Sequence, residues 1–503
     1  MEELTLALNL SLIHARVEHS RLEENWAHLL DLNTQAARAG AQIIVNTEMG
    51  LSGYCFDSQA EVEPLLLTRE GPRVQAFSEL AQEHQVYIVL GFAEVSRTVK
   101  IFHNTALVFT PDGSVGPAYH KINAETRWAC PGAPDQDTVF DTPWGRVGVM
   151  ICSDTYHGLL VRQTALRGAD LLVIPANWPV SGGMDPARLW SARARENGIW
   201  LAACNRTGRD RKMDCTTAPS CAFSPDGETL LYQTSETSRI HTVSIPLSDG
   251  RLTSWRRPLL APRQPENYSP IFLDTRYLTH NAKDVPGWFG MPEPGPFQVC
   301  SLSGGDDAGI LERMETYMEG LPPETPFTLG VLPPLGSEAL IRELSDLIRG
   351  KNLAVFTCVE RKNTEIPVLI PPQGEPEFRT GDAFAFAQAG PARVGLCRRA
   401  ELLHPETGIA HAKLDCDVLA ASAFSLAEPD IPVYCARSLD KVAVAMAASN
   451  QALVCLPPKG HSPWQDIRDP NLAQAGVDLD LIRDRVFQDR VDMEVLLKVS
   501  PDI

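Results

Sequence analysis

The sequence lacks the features that mark several classes of protein. Its 12 cysteines include no Cys-x-x-Cys pair and no nearby histidine pair at zinc-site spacing, which disfavours a disulfide framework and a structural zinc. No apolar run reaches the ~18 to 20 residues that a membrane-spanning helix needs. The acidic start at residues 1–3 lacks the basic region of a secretory signal. We therefore expect reduced thiols, a cytoplasmic location and no membrane partner.

Positive charge is also scarce. The chain has 45 Lys and Arg residues against 63 Asp and Glu residues, for a formal charge of −18, and no Lys/Arg block stands out. A surface that tracks phosphates needs such a block, so nucleic acid is not an expected partner. With 44% hydrophobic residues, the 503-residue chain is expected to fold into large cores, and two domains of about 250 residues fit the length.

Apolar segments of strand and helix type alternate through the first half. Residues 4–12 predict a buried strand, residues 18–38 carry apolar side chains at helical spacing, and another short strand follows Gly40. Residues 104–109 and 220–223 each precede a Pro-Asp-Gly turn, which predicts two antiparallel hairpins. These patterns predict an α/β fold with mixed sheets.

The second half repeats the first in weaker form. A proline-rich stretch at 256–296 predicts the junction, which gives a first domain at 1–285, its linker starting near 256, and a second at 297–503. Past it, Arg393-Val394-Gly395-Leu396 echoes Arg146-Val147-Gly148-Val149. A repeat with the period of a whole domain indicates duplication rather than a solenoid.

Three reactive side chains of the first half follow predicted strands, at the edge where α/β folds assemble their sites. They are Glu48, Lys121 and Cys152. Each has an ordinary alternative when taken alone: a solvated carboxylate, a surface lysine with a packed stem, and a small buried apolar residue. Their meaning depends on whether they occur together in a known order.

With their flanking residues, the three resemble the nitrilase superfamily, also called the carbon–nitrogen hydrolases, over residues 4–268. This resemblance implies two α-β-β-α sandwich domains in tandem, paired as an intramolecular pseudo-dimer. The matching motifs, in chain order, are Asn46-Thr47-Glu48, Gly53-Tyr54, Tyr119-His120-Lys121, Cys130-Pro131-Gly132, the elbow from Gly148 to Asp154, Asn177-Trp178-Pro179, Arg193 to Asn197, Asn205 to Gly208, and Arg263 to Tyr268.

The resemblance implies an acyl-enzyme mechanism. Glu48 would take the thiol proton of Cys152, because an unperturbed thiol is only a few per cent thiolate at neutral pH. Lys121 and the Ser153 amide would stabilise the negative charge of the tetrahedral intermediate. Water would then hydrolyse the thioester. The substrate would be a small amide or N-carbamoyl amide, and no metal or organic cofactor is required.

The resemblance also names further site residues. Glu125 is the candidate for a second glutamate that many relatives place after the lysine, although it follows Lys121 by only four residues, a tighter loop than the family pattern. After the nucleophile, Cys152-Ser153-Asp154-Thr155-Tyr156-His157 departs from the family's Cys-x-Asp followed by Pro-Glu. The residues expected to line the substrate pocket, all polar or aromatic, are Tyr54, Trp128, His157, Asn177 and Trp178.

The second copy is expected to be catalytically dead. In the repeat, Arg399 falls where Cys152 stands, Glu401 where Asp154 stands, and Pro334 where Glu48 stands. No lysine occurs between residues 369 and 379. A fused second copy could supply the family's dimer interface within one chain, and the family helices could also form homo-oligomers.

Three alternatives remain open. The first is a nitrile hydrolase or an acyl transferase of the same superfamily. The second treats the first half as the glutamine-amidase of an ATP-dependent protein, because Ser303-Gly304-Gly305-Asp306-Asp307 resembles the pyrophosphate loop of glutamine-dependent NAD synthetases. The third is a non-catalytic scaffold in which Cys152 is structural.

Overall fold

The structure is a computed structural model of the chain, and it separates into two units. It describes residues 6–96, 98–180, 185–272, 290–304, 306–361, 364–381, 383–423, 442–448, 450–457, 465–483 and 493–497. Unit 1 comprises Met1–Pro262 with Arg490–Ile503, and unit 2 comprises Arg263–Asp489. The domain boundaries given by the sequence, 1–285 and 297–503, stay a prediction, and residues 273–289 of the linker lie outside the described residues.

Unit 1 is built on two six-stranded sheets. The order of the first is β14-β1-β2-β3-β4-β5, and the order of the second is β13-β12-β9-β8-β7-β6. The strands of the first sheet are β1 (Ala7–His14), β2 (Ile43–Asn46), β3 (Tyr87–Val95), β4 (Phe102–Phe109), β5 (Val115–His120) and β14 (Arg239–Pro246). Those of the second are β6 (Val139–Thr142), β7 (Gly145–Val149), β8 (Leu171–Pro175), β9 (Trp200–Cys204), β12 (Ser220–Phe223) and β13 (Thr229–Gln233). Two short strands, β10 (Arg209–Asp210) and β11 (Met213–Asp214), form a separate hairpin.

Helices cover the outer faces of these sheets. Helices α1 and α3 pack on the first sheet through a buried apolar cluster, and α5 contacts β9 and β12 of the second. The two sheets contact each other directly through β1 and β9 and through β2 and β8, which gives α-β-β-α layers. The helices of unit 1 are α1 (Leu22–Arg38), α2 (Gln59–Val62), α3 (Pro72–His84), α4 (Gly158–Leu166), α5 (Pro186–Asn197), α6 (Arg256–Leu260) and, from the C-terminal segment, α11 (Met493–Leu496).

The sequence predictions for this unit hold at the level of elements. The first strand extends from Ala7 to His14, residues 4–5 of the predicted strand lie outside the described residues, and helix α1 begins at Leu22 rather than residue 18. Both predicted hairpins are present, since β4 pairs with β5 and β12 pairs with β13 in antiparallel fashion. The predicted α/β class with mixed sheets is confirmed.

Unit 2 repeats the same layers. Its sheets have the orders β19-β18-β17-β16-β15-β26 and β20-β21-β22-β23-β24-β25, which match those of unit 1 strand for strand. The strands are β15 (Phe297–Leu302), β16 (Phe327–Val331), β17 (Leu353–Arg361), β18 (Thr364–Ile370), β19 (Glu377–Phe378), β20 (Phe386–Ala389), β21 (Ala392–Arg398), β22 (Val418–Ala423), β23 (Ala443–Ala448), β24 (Ala452–Leu456), β25 (Gln465–Asp469) and β26 (Leu472–Gly476). The helices are α7 (Asp307–Glu319), α8 (Glu338–Ile348), α9 (Pro405–Lys413) and α10 (Leu479–Arg483). The predicted tandem sandwiches are therefore confirmed, whereas the pseudo-dimer stays a prediction.

Each unit includes a segment that lies outside the part of the sequence predicted to form it. Residues 263–272 precede the second half, yet they pack on α9 of unit 2, where Arg263 Nε donates to Glu406 Oε1 at 2.8 Å and Lys413 Nζ donates to the Ile271 carbonyl at 2.6 Å. At the other end of the chain, α11 packs against α4 of unit 1. Unit 1 is therefore assembled from two separate stretches of sequence.

Ser303, Gly304 and Asp306 lie between β15 and α7, as residues of a nucleotide-binding loop would, and residue 305 lies outside the described residues. Asp306, however, caps the helix itself: its Oδ1 accepts from the Gly309 backbone N–H at 2.8 Å, and the carboxylate occupies the helix N-terminus where a phosphate would bind. Ser303 Oγ donates to the Pro470 carbonyl. These engagements favour a structural turn over a pyrophosphate site.

A buried histidine makes the stability of unit 1 depend on pH. His14 Nδ1 lies 2.9 Å from Ser220 Oγ, and burial, followed by the neighbouring His241, lowers the pKa of His14 to about 4. Below its ordinary pKa of about 6.5 the unfolded chain therefore binds a proton that the folded chain does not. Stability is constant above that pH and falls between pH 6.5 and 4, by about 3 kcal/mol for this group.

We expect His14→Asn, whose amide can keep the bond to Ser220, to flatten this acid-side loss of stability. The measurement is the free energy of unfolding from urea titrations at several pH values between 7.5 and 4.5. The control is His84→Gln, which replaces a partly exposed histidine in the last turn of α3. Equal slopes in the two variants would contradict the assignment.

Candidate active site

Three strand ends bring the reactive side chains of unit 1 together. Glu48 follows β2, Lys121 follows β5 and Cys152 follows β7. Lys121 Nζ donates to Glu48 Oε1 at 2.8 Å, and the charges of both groups act on the Cys152 thiol. All three residues are at most 3% exposed. The sequence predicted a constellation that the structure assembles at one point of the fold.

The backbone around Glu48 is held by β3. Gly91 accepts a hydrogen bond from the Gly50 N–H at 2.9 Å, and a Cβ at Gly91 would lie 2.4 Å from the Thr47 carbonyl oxygen and 3.0 Å from Glu48 Cα. Only a glycine permits this approach. From the next strand, β4, Asn104 Nδ2 donates to Glu48 Oε1 at 2.8 Å, so the carboxylate oxygen has two donors.

Cys152 lies on a strained turn. Its φ is +44°, in the left-handed region that a residue with a Cβ adopts at a cost of about 1 to 3 kcal/mol. Thr155 Oγ1 donates to the Cys152 carbonyl at 2.6 Å, and Trp190 Nε1 donates to Thr155 Oγ1 at 3.0 Å. Arg193 donates to the Thr155 carbonyl at 2.7 Å and pairs with Glu196 at 2.8 Å. Helix α5 therefore holds the elbow in its strained shape.

Asp154 joins the elbow to the lysine loop. Its carboxylate is fully buried and accepts from the Tyr119 hydroxyl at 2.7 Å and from the backbone N–H groups of Ile122 and Asn123 at 2.8 Å each. These bonds fix Lys121 relative to Cys152, although the two residues come from different sheets. Asp154 is the last residue of the elbow motif, and the sequence pattern predicted no function for it.

Glu125 and Tyr54 surround the ammonium of Lys121. Lys121 Nζ lies 3.4 Å from Glu125 Oε1 and 3.1 Å from the Tyr54 hydroxyl, which itself donates to Glu125 Oε1. The four-residue spacing of Lys121 and Glu125 therefore still brings the second carboxylate to the lysine. Tyr54 was predicted as a pocket-lining residue, and the structure places its hydroxyl in the network of charged groups.

Asp210 fixes the segment that carries Tyr54, and sequence reasoning missed it. Asp210 Oδ2 accepts from the Tyr54 N–H at 2.6 Å and pairs with Arg206 at 3.2 Å, while Oδ1 lies 2.8 Å from His19 Nδ1. Asn104 was missed as well. Asp210 could have been found from the sequence because it follows Arg206, a residue of the Asn205 to Gly208 motif, by four positions. Asn104 lies in a segment whose pattern predicted only a hairpin strand, so nothing in the sequence indicated its contact with Glu48.

Burial and charge set the protonation of the site. Burial, reinforced by the Glu48 carboxylate, raises the pKa of the Cys152 thiol well above its ordinary value. Burial alone would lower the pKa of Lys121, but Glu48 and then Tyr54 outweigh it, and the pKa of Lys121 is raised well above its ordinary value. Burial also raises the pKa of Glu48, against the opposing effect of Lys121. At neutral pH the site therefore holds an ammonium and an uncharged thiol.

The remaining predicted residues lie at different depths. Asn177 is buried, and its backbone opposes the rise in the pKa of the Cys152 thiol. Ser153 and His157 are partly exposed beside the elbow. The Trp178 ring packs edge-on against Trp190 at 5.9 Å between centroids.

Trp128 is 1% exposed and belongs to an apolar cluster with Met49 and Phe56, whose ring it meets edge-on at 6.3 Å. The structure therefore places Trp128 in the core beside the site.

The strand registers identify the matching positions of unit 2. In unit 1, Val45 of β2 pairs with Val89 of β3, and in unit 2, Val331 of β16 pairs with Phe356 of β17. Glu48 follows Val45 by three residues and Pro334 follows Val331 by three, so Pro334 matches Glu48. By the same comparison of β7 and β8 with β21 and β22, Arg399 matches Cys152. The registers of β3 to β5 and of β17 to β19 give two further matches. Gly381 occupies the position that matches Lys121, and Glu365 occupies the position that matches Asn104. Each of the three reactive residues is replaced.

We expect Gly91→Ala to displace Glu48, because the new methyl group would enter the Thr47 backbone. Overpacking of this kind costs about 1 to 3 kcal/mol, so the melting temperature should fall. Thermal denaturation and a crystal structure of the variant would measure both effects. The matched control is Gly116→Ala in β5, where the nearest atoms to an added Cβ belong to the Val108 side chain at 3.3 Å. An unchanged melting temperature for Gly91→Ala would contradict the tight approach.

Neither a metal site nor a membrane-spanning helix occurs among the described residues. No three His, Cys, Asp or Glu side chains of the described part of the chain come together as a metal site. Among the same residues, no helix has the length and apolar character needed to cross a membrane.

Comparison with known proteins identifies the family. The family model described as carbon-nitrogen hydrolase matches residues 10–257. The chain is similar to the probable nitrilase C965.09 of Schizosaccharomyces pombe, at 31% identity over 214 residues that make up 42% of this chain and 77% of that protein. It is also similar to omega-amidase NIT2 of Mus musculus, at 30% identity over 239 residues, 44% of this chain and 82% of that protein.

Among solved structures, Nit3 of Saccharomyces cerevisiae, a member of branch 10 of the nitrilase superfamily, aligns with a TM-score of 0.44 and 20% identity over 48% of this chain and 90% of that chain. The sequence matches extend across three quarters or more of both relatives, and the family match includes the segments that carry Glu48, Lys121 and Cys152. The chain therefore belongs to the carbon–nitrogen hydrolases of the nitrilase superfamily, and it is an enzyme that acts on carbon–nitrogen bonds.

Proposed function

We propose that unit 1 hydrolyses a small amide or N-carbamoyl amide through a thioester on Cys152. The observation that carries this proposal is the buried Lys121–Glu48 ion pair, whose charges act on the buried Cys152 thiol. A thiol with a raised pKa needs a base in contact with it, and Glu48 is that base. The relatives support an amide substrate, since omega-amidase NIT2 of Mus musculus is among them.

In the acylation step, the Cys152 proton moves to Glu48 while sulfur attacks the amide carbon. The carbonyl oxygen gains negative charge, which the Lys121 ammonium and neighbouring backbone N–H groups stabilise. Glu48 then returns the proton to the departing nitrogen, the carbon–nitrogen bond breaks, and ammonia or an amine leaves. The thioester remains on Cys152.

In the deacylation step, Glu48 takes a proton from water as the water oxygen attacks the thioester. The carbon–sulfur bond breaks, the proton passes to the sulfur, and a carboxylic acid is released. Glu125 and Tyr54 position the ammonium of Lys121, since both contact it, while Asn104 holds the Glu48 carboxylate. Unit 2 has no proposed part in this chemistry, because Pro334, Gly381 and Arg399 stand at the three matching positions.

We expect Cys152→Ala to abolish turnover of small amides, with released ammonia as the readout. Wild-type enzyme stopped early in turnover should carry an acyl group on Cys152 by mass spectrometry. Cys204→Ala, which removes another fully buried thiol of unit 1 from β9, should retain activity. A panel that includes nitriles and amine acceptors separates the alternatives. Turnover of nitriles alone, or transfer of the acyl group only to amines, would overturn amide hydrolysis.

Lys121→Met should fold less stably and lose at least a hundredfold in kcat, because one charged donor to a developing oxyanion contributes about 3 kcal/mol or more. The variant removes the ammonium while keeping the length of the side chain. Near-normal kcat in a folded variant, checked by circular dichroism, would contradict the role of Lys121.

Glu48→Gln should separate the two effects of this carboxylate. Its negative charge raises the pKa of Cys152, so its removal should move the alkylation of Cys152 by iodoacetamide to lower pH. Its loss as a base should at the same time lower kcat by a factor of about 10² to 10⁴. The measurements are the pH profile of alkylation and the rate of ammonia release. Alkylation shifted to higher pH would contradict the proposed contact, and Glu125→Gln serves as the control for a more distant carboxylate.

A further inference from the structure

Unit 2 retains charged side chains at the positions that match the candidate active site. Arg399 follows β21 as Cys152 follows β7, and Glu365 lies in β18 where Asn104 lies in β4. In unit 1, Asn104 contacts Glu48, so its position faces the reacting groups. Arg399 and Glu365 thus occupy, on the two sheets of unit 2, the positions that match Cys152 and Asn104.

These two side chains are neither fully buried nor engaged. Both are partly buried, and neither makes a side-chain hydrogen bond or an ion pair with any described residue. They are nonetheless close enough for the charge of Arg399, and that of Arg398 after it, to act on the Glu365 carboxyl.

The surrounding charges are accounted for by other contacts. Glu401, which matches Asp154, receives two hydrogen bonds from the Arg379 guanidinium, one of them at 2.8 Å, and Arg379 stands at the position of Tyr119. Arg398 Nη2 donates to the Gly381 carbonyl at 2.8 Å. Glu360, opposite Glu365 in the antiparallel pair, is exposed. Arg399 and Glu365 differ from Arg379, Arg398 and Glu401 because no contact with a described residue engages their side chains.

The deeply buried arginines of unit 2 differ from Arg399 because they are matched to acceptors. Arg263 pairs with Glu406 at 2.8 Å, Arg483 with Asp417 at 2.8 Å, and Arg379 with Glu401. Burying a charge without a partner is costly, and these pairs avoid that cost. The Arg399 guanidinium and the Glu365 carboxyl are two partly buried groups of opposite charge, and neither is engaged by a described residue, so both are available to a ligand.

We propose that unit 2 binds a small α-amino acid at the position that matches the active site. The Arg399 guanidinium would hold the carboxylate of the ligand by charge-assisted hydrogen bonds, for which its planar fork is suited. Glu365 would accept hydrogen bonds from the ammonium group. No bond is made or broken, because Pro334, Gly381 and Arg399 replace the base, the lysine and the thiol. The second unit is a binding module made from a hydrolase fold.

The test uses full-length Cys152→Ala protein, in which the proposed thioester cannot form. Isothermal titration with glycine, acetate and methylamine compares a ligand with both charges against ligands with one. Glycine should bind, acetate should bind at least several-fold more weakly, and methylamine should give no heat. Failure of glycine to bind at millimolar concentration would overturn the proposal, and so would equal affinity for acetate.

Variants then assign the site. Arg399→Ala should weaken glycine binding about tenfold or more, and Glu365→Gln should reduce the affinity for glycine to that for acetate. Arg399→Lys, which keeps the charge, should retain part of the affinity. The matched control is Arg349→Ala, which removes an exposed arginine of unit 2 that pairs with Asp346. Glycine affinity unchanged in Arg399→Ala would place binding elsewhere, including the unit 1 site, and overturn the proposal without touching the proposed hydrolysis.

Discussion

The ion pair between Lys121 and Glu48 is the interaction on which the rest of unit 1 depends. Both groups have no exposed side-chain surface, and each would be too costly to bury as a lone charge. Glu48 accepts from Lys121 and Asn104, while the lysine also contacts Tyr54 and Glu125. Together these contacts keep a carboxylate beside a buried thiol and hold an ammonium opposite it.

The positions of these charges are set by backbone features far apart in sequence. The close approach of the Gly91 backbone fixes the position of Glu48, and the left-handed turn fixes the position of Cys152. The Asp154 carboxylate joins the loop of Lys121 to the elbow through hydrogen bonds. Unit 2 lacks the ion pair, and these supporting features are absent from it as well. Cys358 takes the position of Gly91, Arg399 has no positive φ, and a salt bridge between Arg379 and Glu401 replaces the bond from Tyr119 to Asp154.

Much of the fold and the site could be predicted from the sequence because their signals are local. Short segments of sequence were enough to predict the strands that precede Glu48, Lys121 and Cys152 and the two Pro-Asp-Gly hairpins. The same holds for the replacement of Cys152 by Arg399 in the second copy. Asn104 and Asp210 were missed, because each acts through a partner more than fifty residues away. The interior position of Trp128 also depends on tertiary packing, since an aromatic residue beside a site looks the same in sequence whether it lines a cavity or fills a core.

The distant origin of helix α11 has a consequence for biosynthesis. This helix, which packs on α4 directly after the elbow, comes from residues 493–496, more than two hundred residues beyond the end of the main body of unit 1. At a translation rate of about 5 to 20 residues per second, the interval between the two is roughly 10 to 50 seconds. The main body of unit 1 is therefore synthesised well before residues 493–496, and α4 lacks this contact until those residues have been made.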